Sequence, residues 1–377
     1  MDNYASQTNR VLIRCVFIRR QAQLLRSGLS RICLLLCAFL LVSACTYPVG
    51  VQTFQQPQNL QSQYRQLSQD WLADLQRRGL IYRDARAEQI IEPVMQRLVP
   101  NYSRLGIDIQ LARLPGENAI ALPDGTLVIH QSMLAALASE EQLAFLLAHE
   151  ISHHLLNHAW YSAKYYSDQA AMVGSFRSSN TKPAGSFSRN QEQQADDYAV
   201  KLMHRAGYDV NKAAGFFEQL RRYPMQFTGS GDSRTHPSLL QRQLYLSRVS
   251  QQSTNSRLTY YNSVSPDYYH RFRLGQLIAS IEHKVNESDL PGALVQLSEL
   301  ESIQGRTALG DCLRADVYQA IGDDMVAASQ AFSEISGKRE RSSSVTVAQQ
   351  FFMQKADAVL REGLMRFPDA GCIRDRM

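Results

Sequence analysis

Four of the chain's nine histidines fall within ten positions, in the stretch LLAHEISHHLLNH from Leu146 to His158. Within it His149, Glu150 and His153 make the pattern H-E-x-x-H. On a helix, residues four apart lie about 40° apart around the axis, so both imidazoles share a face and can reach one ion at about 2.0–2.1 Å. Glu150 is rotated by about 100° from His149, beside such an ion but outside its ligand set. A carboxylate there can take a proton from an attacking water. The apolar run LAFLLA just before the motif implies a buried helix. Burying two imidazoles without a partner costs free energy, and a bound metal removes that cost. By the same angular arithmetic His154 and His158 leave the face of the first pair, and both are expected at the helix surface or a domain contact.

A catalytic zinc takes three protein ligands and leaves one position for water. A third histidine six residues after His153, with a glycine midway, is excluded because Leu156 and Ala159 stand at those positions. A glutamate on a later helix is the alternative. The segment SRNQEQQADDYAVKLMHRAGYD offers Glu192, with Asp196 one turn on, placed to accept the second N–H of a ligand histidine. Acids at this spacing also occur on solvated helices, so the pair alone is a weak signal.

These groups need elements to hold them. Apolar spacing predicts helices over residues 58–79 and Ala85–Leu98, the latter closed by Pro100. The period then changes. Ile107, Ile109 and Leu111 alternate as in a strand, and AIALPDGTLVIH reads as two more strands around an Asp124-Gly125 turn. Helices are expected over Met133–Ala138, Glu140–Asn157, Gln191–Ala206 (stopped at Gly207) and Asn211–Arg222, with loops at Phe176–Asn190 and TGSGDSRTHP. Residues 251–265 read as a polar linker, and everything beyond as helical. Residues 289–300 and 324–335 align at an offset of 35 residues, near the period of about 34 of tetratricopeptide helix pairs. The match leaves a tetratricopeptide pair and a generic helical domain both open. The expected fold class is therefore α+β: a mainly helical domain with a small β-sheet, followed by an all-α domain.

The formal charge of +5 belongs to the leader. Residues 1–44 carry six arginines and one acid; removing them from the 40 basic and 35 acidic residues leaves 34 of each. The remainder gives no reason to expect nucleic-acid binding. The leader has an apolar run from Ile32 to Val42, right for a signal-peptide core, then Ser43, Ala44 and Cys45. Small residues before a cysteine resemble the lipobox of bacterial lipoproteins, in which the cysteine carries lipid. Thr46 in place of Asp favours, by that resemblance, an outer-membrane lipoprotein facing the periplasm. Cys312 and Cys372 are then the remaining cysteines, an even pair in an oxidising compartment, which predicts a disulfide.

Four blocks resemble the gluzincin zinc metallopeptidases that include HtpX, BepA and the CAAX prenyl protease, peptidase family 48 of the metallopeptidases. They are NAIALPDGTLVIH, LLAHEISHHLLNH (whose trailing His158 the family shares), SRNQEQQADDYAVKLMHRAGYD and THPSLLQR. The resemblance covers about residues 60–250, and BepA-like relatives append tetratricopeptide repeats. It implies one zinc per chain, held by His149, His153 and Glu192, with Asp196 supporting a ligand histidine and Glu150 as general base. It implies an oxyanion donor at His236, which in a mobile loop could also rest on the metal's open position. Asn118, Ala119, Ile120 and Ala121 would present a strand edge to an extended peptide. The sequence departs from the family at Gln194, where a second glutamate is usual, and in the short stretch between His153 and Glu192.

The organisation expected is a lipoprotein signal peptide at 1–44, a tether at 45–57, a zinc metallopeptidase domain at 58–250, a linker at 251–265 and a helical domain at 266–377. The function expected is a zinc endopeptidase acting on misfolded or stalled envelope proteins, with a membrane contact through the lipid and a protein partner as a further role for the C-terminal helices. A chaperone or adaptor working through those helices is the alternative. The strand-edge block argues against a hydrolase of non-peptide substrates.

Overall fold

Pro100 and the turn after it separate helical from strand spacing, and the three longer strands of the sheet follow it. The computed structural model describes residues 58–162, 187–223, 239–252, 263–336 and 345–377. Helix α1 (Gln58–Arg77) leads through β1 (Ile81–Tyr82) to α2 (Ala85–Leu98), whose start is fixed by Asp84 accepting from the amides of Arg86 and Ala87. Strands β2 (Asp108–Ala112), β3 (Ala119–Ala121) and β4 (Thr126–His130) complete a sheet of order β1-β2-β4-β3. Strands β2 and β4 are parallel and the other pairs antiparallel. Among the described residues β3 is therefore an edge.

The register decides what that edge offers. The amide of His130 donates to the Asn118 carbonyl and that of Leu122 to Thr126. In an antiparallel ladder the residues between such pairs point away from the partner strand. The N–H groups of Ala119 and Ala121 therefore face the open side of β3. The loop entering β3 is pinned: the Ser132 hydroxyl donates to the Gly116 carbonyl at 2.6 Å, and His130 Nδ1 lies 3.0 Å from the same oxygen.

After α3 (Gln131–Ala136), helix α4 (Glu140–Leu155) runs through the middle of the fold. Every residue from Glu140 to His153 is buried, because α4 is covered by α2, α5 (Arg189–Ala206), α6 (Val210–Leu220) and β3. Its buried acids have partners: Glu140 accepts from the amides of Ser263 and Val264 and from the Tyr208 hydroxyl, and Glu141 from Lys212. Helix α4 ends at Leu155, short of the expected Asn157, which takes the left-handed conformation at φ 58°. The chain is helical again from 158 to 162. Helix α5 opens on a reciprocal cap between Ser188 and Gln191 and closes on Gly207 at φ 73°.

Helix α7 (Leu239–Gln252) packs on α6, and α8 (Pro266–Asn286) on α3. Tyr269 and Phe272 of α8 join the apolar cluster around α4, while Leu277 and Ile281 of the same helix join a second cluster. That second cluster is built from α9 (Leu290–Gln304), α10 (Ala308–Asp323), α11 (Met325–Ser336) and α12 (Val345–Arg366). The two aligned segments fall in α9 and α11, whose first residues are 35 apart, and α10 packs against both α8 and α12. The fold is thus mainly helical α+β with a helical C-terminal region. A short α13 (Gly371–Arg374) carries Cys372, which is disulfide-bonded to Cys312 of α10. A buried ion cluster joins the two regions: Lys284 of α8 contacts Glu117, just before β3, at 2.8 Å and pairs with Asp289. No helix among the described residues is long and apolar enough to cross a membrane.

Candidate active site

His149 and His153 face the same side of α4, as their spacing requires, and their Nε2 atoms are 3.0 Å apart. Glu192, in the first turn of α5, places Oε2 3.6 Å from His149 Nε2 and Oε1 3.7 Å from His153 Nε2. Bonds of about 2.0–2.1 Å in a tetrahedron separate ligand atoms by about 3.3 Å. Two imidazoles and a carboxylate in this arrangement therefore fit one ion. The three side chains are buried, 6%, 1% and 4% exposed, and could hold a metal together. Burial drives the His153 imidazole well below its ordinary pKa, toward the neutral form that binds metal.

The remaining nitrogens of both histidines are also held. His149 Nδ1 is 3.0 Å from Asp196 Oδ1. The ring of His153 is stacked on Phe187, 3.7 Å between centroids, and its Nδ1 is 3.1 Å from His158 Nδ1. His158 is buried at 3% exposure, so the expectation of a surface position is corrected. A helix running through Asn157 would carry His158 to the surface; the left-handed turn there folds it back over His153. His154 does stand apart, with Nε2 3.3 Å from the Leu105 carbonyl.

Glu150 is 7% exposed and lies on the side of α4 toward β3. Burial pushes its carboxyl up to about 7, opposed by His149, Arg242 and a backbone contact from Ala121. Asn118 uses its side chain to accept from the Ala119 amide at 3.0 Å, while Ile120 pairs with Val128 in the ladder. His236 and Cys45 lie outside the described residues.

Arg242 of α7 is a site residue that sequence reasoning quoted but gave no role. Its Nε and Nη2 contact the two oxygens of Asp196 at 2.9 and 2.7 Å, and Nη1 is 3.1 Å from Glu192 Oε2. The guanidinium also lies over the Phe217 ring, 4.5 Å from its centroid. Burial would raise the Asp196 carboxyl, but Arg242 and His149 hold it below the usual carboxylate range.

Residues 83–249 match the family model described as peptidase family M48. That segment is similar to the peptidases of family M48. The matched segment contains the cluster of His149, His153 and Glu192 together with Asp196 and Arg242. Over 225 residues the chain is 26% identical to the mitochondrial metalloendopeptidase OMA1 of Bos taurus, covering 50% of this chain and 42% of that protein. It is 28% identical over 165 residues to the beta-barrel assembly-enhancing protease of Yersinia pestis, covering 37% of this chain and 34% of the relative. The Escherichia coli K12 protein of the same name is 24% identical over 183 residues, 42% of this chain and 37% of the relative. The chain thus spans less than half the length of these relatives.

Proposed function

We propose that this protein is a zinc-dependent endopeptidase of the bacterial periplasm, anchored to the outer membrane by lipid on Cys45, that degrades misfolded or stalled envelope proteins. The observation that carries the reading is the buried cluster of His149, His153 and Glu192, with Glu150 between it and the open edge of β3. The similarity to beta-barrel assembly-enhancing proteases supports the envelope substrate class.

An extended peptide would add to β3 by pairing with Ala119 and Ala121, displacing the Asn118 side chain from the Ala119 amide. His149, His153 and Glu192 would hold zinc, which when bound activates a water and polarises the scissile carbonyl. Glu150 takes the water's proton and delivers it to the leaving amine. Asp196 orients His149. His236, outside the described residues, is assigned to the developing oxyanion. Backbone pairing makes side-chain selectivity loose.

The purified chain is expected to bind one zinc and cleave casein. His149→Ala should lose both, and His154→Ala should keep both. A wild-type chain that neither binds zinc nor cleaves casein overturns the reading. Separately, Cys45→Ala should release the protein from membranes; a variant that still fractionates with the outer membrane overturns the anchor.

A further inference from the structure

We propose that Gln194 and His158 form a relay of fixed polarity that sets the tautomer of His153, making both of them positioning residues for the metal. The inference rests on the metal-site reading above. It stands on three groups in a row: Gln194 Oε1 lies 3.1 Å from His158 Nε2, and His158 Nδ1 lies 3.1 Å from His153 Nδ1. The far nitrogen of His153, Nε2, is the one aimed at His149 and Glu192.

Because the metal position requires a bare Nε2 on His153, and Gln194 turns its oxygen to His158, the donor and acceptor inventory leaves one consistent arrangement. A carbonyl oxygen only accepts, so His158 must carry its proton on Nε2 to satisfy Gln194. In a neutral imidazole Nδ1 is then a lone pair. That lone pair accepts the proton on His153 Nδ1, which leaves His153 Nε2 bare and turned toward the metal position. Reversing any one bond reverses them all. If His158 carried its proton on Nδ1, His153 would have to accept there, and its own proton would sit on Nε2 where the ion must bind.

Local structure holds the row in place. The left-handed Asn157 brings His158 back over α4, and the Gln191 amide reaches the His158 carbonyl at 3.5 Å. Phe187 stacks on His153 and fixes the plane of its ring, which decides where Nδ1 points but not whether it is protonated. Gln194 itself is exposed on α5 and lines an open cavity of about 360 Å³ with His158, Tyr161 and Tyr198. Its position is therefore one where a change of side chain need not disturb packing. Gln194 presents an oxygen to His158, which is the property the relay requires.

The test compares Gln194→Glu, an obligate acceptor, with Gln194→Met, which has the length but no oxygen. Zinc affinity is measured by competition with a chromophoric chelator, and the thermal midpoint of the metal-free variants is measured alongside. Gln194→Met is expected to bind zinc about 10–100-fold more weakly, with an unchanged metal-free midpoint, while Gln194→Glu keeps wild-type affinity. In histidine-selectively ¹⁵N-labelled, zinc-loaded protein, His153 should carry its proton on Nδ1 and His158 on Nε2. Unchanged affinity in Gln194→Met beside a wild type that binds zinc overturns the relay alone, as does a zinc-loaded His158 protonated on Nδ1. No zinc binding by the wild type overturns the metal site and the relay with it.

Discussion

Glu150→Gln is expected to keep its metal and its fold and to cleave casein at least about 10²-fold more slowly, the lower end for loss of a general base. The substitution preserves shape. It removes a carboxyl that burial already pushes up to about 7, so the interior gives up a costly charge rather than a partner. Glu150 is outside the group of three that can hold the ion, and zinc content should be unchanged. What disappears is a carboxylate that can accept a proton between His149 and the Ala121 backbone. Zinc content, circular dichroism and casein turnover measured on one preparation separate the outcomes. Near-normal turnover would mean another group activates the water.

Arg242→Met should destabilise the metal-free protein by about 3–5 kcal/mol, the cost of removing one partner from a buried ion pair. Two carboxylates depend on that guanidinium, Asp196 at 1% exposure and Glu192 at 4%. Zinc on Glu192 would offset part of the loss, because a ligand that binds the folded state stabilises it. The difference between zinc-loaded and chelator-treated protein in urea unfolding should therefore be larger for the variant than for wild type. Arg242→Lys should fall between them, since a single ammonium cannot reproduce the fork that spans both acids. Equal stability of Arg242→Met and wild type in chelator would show that the cluster is not held by this cation.

The metal helix, the strand that flanks it and the boundaries of α2 were legible because each is governed by local rules. Helical spacing puts His149 and His153 on one face, and Asp84 caps α2 where the apolar period starts. His158 was misplaced because one residue, Asn157, leaves the helix, and nothing in an apolar pattern marks a left-handed turn at that position. Arg242 was quoted without a role for a different reason. It is 93 residues from His149 and 46 from Asp196, and its purpose appears only once α7 has packed against α6. Glu117 and Lys284 escaped notice entirely, since a charged pair so far apart in the chain has no signature before folding.

That last pair bears on how the molecule can be cut. Lys284 and Asp289 belong to the C-terminal helices, yet Lys284 neutralises Glu117 at the entrance to β3. Tyr269 and Phe272 fill the core around α4 in the same way. A fragment ending at residue 250 would strand an acid in the interior next to β3 and open two aromatic-sized holes beside α4. The catalytic half was not shaped as a detachable module. Whatever binds or shifts the C-terminal helices has a rigid lever, only a few side chains long, on the entrance to β3.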